Sequence, residues 1–263
     1  NVLPKLGKIK TQWDLKGLYY KSEKDPQIEK DIIATELAYK TFAKKYRGKD
    51  YTSTAKKLLV ALEAFEELSQ ASAVKKPSYY FSFRTVLNAN DIVAQKQLAL
   101  IDNRLTKAIN EVIFFMITIG EIPKDLQKKY LNDDLLTKHH YNLEQTFKKA
   151  KHLLTEPEEK ILSLKSDVSR SKWISGTNKM LSKRSVIYRG ETIPLNSAIN
   201  LVNTITTKEQ PKLWKLCLEQ LHDLAEVGEN EMNAIITNKK IDDEVRGYKS
   251  AYEATIAGYE NNE

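Results

Sequence analysis

A single cysteine, 9 glycines and 7 prolines in 263 residues leave no material for a disulfide scaffold, a collagen-like rod or a fold made of many tight turns. Cys217 has no partner for an intrachain bridge, and its neighbours Leu213, Trp214, Leu216 and Leu218 predict a small buried hydrophobe suited to a reducing compartment. Long apolar runs are missing too. The longest, Val112 to Ile119, is far short of the roughly 20 residues that a bilayer requires, so no membrane span is expected. The chain opens on Asn1 rather than Met, without the charged, apolar and small-residue succession of a signal segment, which reads as a processed chain or an excised piece. The 4 histidines are His139, His140, His152 and His222, and none is followed by Glu with a second His four residues on. No G-x-S-x-G turn occurs, and leucines flank Cys217, so a serine or cysteine nucleophile has no recognisable setting.

Leu, Ile, Ala, Lys and Glu are abundant, and with so few helix breakers they predict a mainly α protein in which strands are a minority. The length permits a large core, held in one domain or two lobes. The net charge of +7 is the difference of 42 basic and 35 acidic residues, both spread along the chain. That mixture reads as a solvated surface. A nucleic-acid binder needs a clustered basic face with aromatic or Arg readout, and neither Lys148, Lys149 and Lys151 nor Lys179, Lys183 and Arg184 fits a known motif, so no nucleic-acid partner is expected.

The periodicity predicts a succession of helices. Asp14 caps a short one, with Trp13 stapled onto Leu18. Asp25-Pro26 starts a second, which buries Ile28, Ile32, Ile33, Leu37, Tyr39, Phe42 and Tyr46 before Gly48 stops it. A third, capped by Thr52 or Ser53, carries a stripe of Ala55, Leu58, Leu59, Leu62, Phe65 and Leu68 up to Lys75-Lys76-Pro77. Tyr79, Tyr80, Phe81 and Phe83 point in different directions on a helix and read as core rather than as a base-stacking platform. Leu98, Ile101, Leu105, Ala108, Val112, Phe115 and Ile119 alternate steps of three and four, the seam of a long antiparallel helical hairpin or coiled coil ended by Gly120 and Pro123.

The densest local signals lie between Leu143 and Trp173. Leu143, Phe147, Ala150 and Leu154 recur at helical spacing, and Thr155 with Glu158 then forms a capping-box pattern around Pro157. Glu156, Glu158 and Glu159 face the positive end of the new helix, whose apolar positions run from Ile161, Leu162 and Leu164 to Val168 and Trp173. Between Ser185 and Pro194 β-branched residues flank Arg189-Gly190-Glu191, predicting one small β-hairpin. Asn196 is placed as the cap of the next helix, and Thr207 and Gln210 start another. A final helix is expected to carry Tyr248, Ala251, Tyr252, Thr255, Ile256 and Tyr259 as an apolar stripe that needs a partner.

Three of these stretches, taken in order, resemble the oligoendopeptidase F branch of the thimet-oligopeptidase-like zinc metallopeptidases. The opening Trp13-Asp14-Leu15 with Leu18-Tyr19 is similar to the family's W-D-L-x-x-L-Y start. His152, Leu153, Leu154, Thr155, Glu158, Glu159, Ile161, Leu162, Ser163 and Trp173 match its basic helix end followed by a capping box and a Trp. Lys239, Arg246, Gly247, Tyr248, Glu253 and Ala254 match its K-x6-R-G-Y-x4-E-A segment. The family's zinc is held by the two histidines of H-E-x-x-H and a later glutamate, a motif that lies well beyond Arg-Gly-Tyr and that this chain lacks. His140 with Glu144, and His222 with Glu226, have the spacing of two ligands on one helix face, but too few ligands for a closed site.

The resemblance implies an N-terminal, non-catalytic region of a cytoplasmic zinc metalloendopeptidase of short peptides. Its partners would be an oligopeptide substrate and a C-terminal catalytic half, with zinc in the full-length enzyme and none in this chain. Neither a catalytic nor a metal-binding residue is assigned here. Tyr188, Arg189, Arg246 and Tyr248 are the expected substrate-groove wall, against the plainer reading of a core Tyr and an ion-paired Arg. The expected organisation is an N-terminal arm over 1–22, a lobe of long helices over 23–154, and the start of the peptidase domain over 155–263. The alternative is a standalone helical interaction protein that turns its basic surface to an anionic partner.

Overall fold

The computed structural model describes residues 14–70 and 75–259. Trp13 and its staple lie outside them. The protein is mainly α, with one two-stranded antiparallel sheet among the described residues, as expected. It divides into two compact units: the chain up to Tyr51 with Lys57–Val112, and Thr52–Lys56 with the chain from Ile113 onward.

The first unit contains α1 (Leu15–Leu18), α2 (Pro26–Tyr46), most of α3 (Ala55–Gln70), α4 (Lys76–Leu87) and α5 (Ile92–Asn110). Asp14 caps α1 through Lys16 N–H, and Asp25 caps α2 through Gln27 N–H with Pro26 in the first turn. Tyr20, Ile28, Ile32, Tyr80, Phe81, Ala94, Ile101 and Leu105 form its core. Tyr80 and Phe81 thus serve as core, while Tyr79 is half exposed. On α2 the buried face includes Thr35, which returns its hydroxyl to Asp31 O, and Ile33 and Leu37 point outward instead. The cause is angular: 3.6 residues per turn put Ile33 about 100° from Ile32. Arg104 of α5 clamps α2 by pairing with Glu29 at 2.9 Å and Glu36 at 2.7 Å, two acids on one face of that helix.

The seam expected to run from Leu98 to Ile119 is not one helix. It breaks after Asn110: Glu111 and Val112 make tighter bonds back to Ala108 and Ile109, and Arg47 donates to the carbonyl of Glu111 at 2.8 Å. The buried residues on both sides keep the seam's register, but Ile101 and Leu105 serve the first unit and Phe115 and Ile119 the second.

The second unit begins with α6 (Ile113–Gly120) and α7 (Lys124–Tyr130). Tyr130 donates to Thr52 O at 2.5 Å, tying the segment 52–56 to α7. A 3-10 turn, Asp134–His139, leads into α8 (His140–Lys149), and another, Ala150–His152, precedes α9 (Glu156–Ser166). Gly120 closes α6 against this second turn. A Cβ there would meet Ala150 Cβ at 3.0 Å and Leu153 Cδ1 at 3.1 Å.

The helix from α9 runs through a π turn, Asp167–Ser171, into α10 (Lys172–Ser182), a widening that the sequence pattern did not announce. None of these residues is buried, and Ile161, Leu164, Val168 and Trp173 are exposed rather than facing a core. The hairpin forms as expected from β1 (Ser185–Tyr188) and β2 (Glu191–Pro194), in the register Val186 to Ile193 and Tyr188 to Glu191. Its two-residue turn has positive φ at Arg189 (56°) and Gly190 (84°), the twist that suits paired strands.

After it come α11 (Leu195–Val202), α12 (Gln210–His222), α13 (Ala225–Val245) and α14 (Glu253–Gly258). Asn196 lies inside α11, whose cap is Pro194, and the cap of α12 is Glu209 rather than Thr207. The expected terminal stripe is broken as well, since α13 ends before Tyr248 and Tyr252 and Tyr259 are exposed. Val186, Tyr188, Leu195, Ala198, Leu213 and Cys217 pack as a second core. Burial pushes the Cys217 thiol up, away from the reactive thiolate. A thiol reagent is therefore expected to label native protein only as fast as this core opens, and denatured protein at once; rapid labelling of native protein would contradict the burial.

Candidate functional site

The four residues expected at a groove wall fall into two clusters, both in the second unit. The first is built by the end of α13. Asp243, Glu244, Val245, Arg246, Gly247 and Tyr248 make a paired stop in which Gly247 N–H donates to Glu244 O at 3.0 Å and Tyr248 N–H to Asp243 O at 3.0 Å. Gly247 sits at φ 72°, where a side chain is strained, so Arg-Gly-Tyr is first of all a helix-ending sequence. Lys239 pairs with Asp243 and reaches Ala251 O, holding the chain that follows the stop.

That stop projects Arg246 onto the capping box of α9. Arg246 Nη1 and Nη2 donate to Glu159 Oε1 and Oε2 at 2.6 and 2.8 Å, a two-pronged ion pair, and Nη1 also faces His152 O at 3.3 Å. Leu154 N–H donates to Glu159 Oε1 at 3.0 Å, and Glu158 accepts from the N–H and hydroxyl of Thr155. Burial opposes ionisation of Glu159, but Arg246 and the Leu154 N–H outweigh it and hold the carboxyl below its ordinary range. Glu159 in turn holds Arg246 more firmly charged. The His152 ring closes the group. Its Nδ1 lies 2.9 Å from Arg246 O, which can only accept, so Nδ1 is the donor. Tyr248 stacks on the ring at 3.7 Å between centroids and 19° between planes.

In the second cluster Tyr188 donates to Glu209 Oε2 at 2.9 Å, and burial followed by that bond pushes its phenol up. The Arg189 guanidinium lies over the Tyr188 ring at 5.2 Å and 3.5 Å from Glu209, which Lys212 also approaches. Both arginines are thus ion-paired and Tyr188 is core; Tyr248, half-buried, lines a cavity of about 430 Å³ next to His152. Sequence reasoning missed Glu159 and Glu209 as the partners. Glu159 stands 87 residues from Arg246, and no local pattern carries such a pairing. Among the described residues no group of three or more His, Cys, Asp or Glu side chains is placed to hold a metal ion, so these residues do not fit a zinc site.

The chain is thus a mainly helical fold in which an Arg-Gly-Tyr helix stop grips a capping box. Residues 119–177 match the family described as Oligopeptidase F. An oligoendopeptidase F homolog of Borreliella burgdorferi is 28% identical over 152 residues, 58% of this chain and 24% of the relative. The crystal structure of oligoendopeptidase-F from Enterococcus faecium superposes with a TM-score of 0.70 at 15% identity, over 88% of this chain and 46% of that one, a likeness of fold. The chain is thus similar to the N-terminal portion of oligoendopeptidase F, and the matches span well under two thirds of either relative.

Proposed function

We propose that this chain is the N-terminal, non-catalytic region of an oligoendopeptidase F-like zinc metalloendopeptidase that hydrolyses short peptides, and that it forms part of the substrate-groove wall. The observation that carries the reading is the grip of Arg246 and Tyr248 on Glu159 and His152. Two stretches that each resemble the family, far apart in sequence, support one another in space. One of them lies inside the matched residues 119–177. In this reading the region 155–263 opens the peptidase domain, Tyr188, Arg189, Arg246 and Tyr248 border the groove, and the parent protein acts in the cytoplasm. Zinc chemistry belongs to residues of the parent outside this chain, which contributes shape and support.

The test is a quenched-peptide assay with metal analysis on the purified chain, alone and combined with the remainder of its parent protein. Alone it is expected to bind no stoichiometric zinc and to cleave nothing; combined, hydrolysis of short peptides should appear, and Tyr248→Ala should raise KM more than it lowers kcat. One tightly bound zinc with hydrolysis by the chain alone would overturn the reading.

A further inference from the structure

The cavity beside Tyr248 is strongly polarised. Its rim carries Lys124, Lys148, Lys149 and Lys151, and among the described residues that line it the one carboxylate is that of Glu253. That carboxylate is already engaged: it accepts from Lys249 N–H at 2.8 Å and lies 3.6 Å from both Lys151 Nζ and His152 Nε2. The backbone N–H, followed by Lys151 and His152, holds it below its ordinary range. Glu253 therefore stays ionised and offsets one of the four lysine charges, chiefly that of Lys151. Lys124 makes no ion pair among the described residues. Lys148 pairs at 3.0 Å with Glu144, but both side chains are about half exposed, and such a bridge exchanges its partner at little cost.

The floor, by contrast, is apolar and held in place. Tyr248 is stacked on His152, whose Nδ1 is bonded to Arg246 O, and Phe147 and Ala257 complete the wall. A volume near 430 Å³ lies in the range of small-ligand sites and exceeds what a bare inorganic ion fills. Flexible lysines supply mobile point charges that suit an anionic oxygen cluster, and a concave low-dielectric wall strengthens their field.

We propose that this cavity binds a small organic anion: a carboxylate or phosphate head met by Lys124 and Lys148, on an apolar or aromatic body that packs against Phe147 and Tyr248. The site stands independently of the peptidase reading, since no reacting group is asked of it. Its test is titration of the full chain at low salt with 3-phenylpropanoate, phenyl phosphate, inorganic phosphate and benzylammonium, followed through the ring-proton resonances of His152. The two aromatic anions should give saturable shifts that weaken as salt rises, and inorganic phosphate should bind about tenfold more weakly than phenyl phosphate. Benzylammonium should not bind. The rank of 3-phenylpropanoate against phenyl phosphate distinguishes a carboxylate source, such as a peptide terminus, from a phosphate ester. The double variant Lys124→Gln/Lys148→Gln, which alters exposed side chains and should keep the native circular dichroism, is expected to weaken both aromatic anions at least about tenfold. Unchanged affinity in that variant, equal binding of benzylammonium, or no saturable shift with either aromatic anion would overturn the proposal.

Discussion

Glu159→Ala is expected to cost the second unit about 2–3 kcal/mol, because it strands a three-quarters buried guanidinium that no other carboxylate meets in the same way. The loss combines the two-pronged charged hydrogen bond with the Leu154 N–H that Glu159 also satisfies. Arg246→Lys should retain part of the stability, since an ammonium keeps the charge but cannot form the fork. The pair also predicts a pH dependence. Glu159 has a folded-state pKa below its unfolded one, so its contribution is complete above the ordinary glutamate range and is lost as pH falls through the lowered folded value. Chemical denaturation of wild type and Glu159→Ala at neutral and acid pH reads this directly. The gap between them should narrow on acidification, and a gap below about 0.5 kcal/mol at neutral pH would reduce the pair to a surface bridge.

Phe115→Ala should be costlier still, at about 3–5 kcal/mol, because the ring is fully buried on α6 and its removal leaves a void that close-packed neighbours only partly fill. Val168→Ala supplies the contrast. Val168 belongs by its spacing to another apolar series, that of α9, but is 61% exposed on the π turn, so its truncation should stay within about 0.5 kcal/mol. Equilibrium unfolding of both variants checks the pair. Equal losses would mean that the outward face of α9 and α10 is covered in solution.

This contrast marks how far sequence pattern reaches. Heptad-like spacing identified Ile101, Leu105, Phe115 and Ile119 as one buried series, and burial agrees at each. It could not show the break after Asn110, where Arg47 reaches a carbonyl 64 residues away. On α9 the same spacing suggested a buried face, yet no residue of the helix is fully buried and Ile161 and Leu164 are exposed, because periodicity reports which residues share a side and not how far another element covers that side.

At the candidate site the division is similar. Local chemistry alone determined several ends of the elements: Asp25 and Pro26 at a helix start, Thr155 and Glu158 in a capping box, Arg189 and Gly190 in a hairpin turn. Each is settled within a few residues by hydrogen bonds and allowed backbone angles, so the sequence suffices. Tertiary structure decided which of these ends meet. Only folding brings Glu159 to Arg246, His152 to Tyr248 and Glu209 to Tyr188, since a contact across tens of residues depends on how every intervening helix packs. The lysine-rimmed cavity is a product of the same convergence. Lys148, Lys149 and Lys151 were visible in the sequence as a cluster, but Lys124 joins them, and the concavity that gives them a common target arises, only when the ends of α8 and α13 and the starts of α7 and α14 come together.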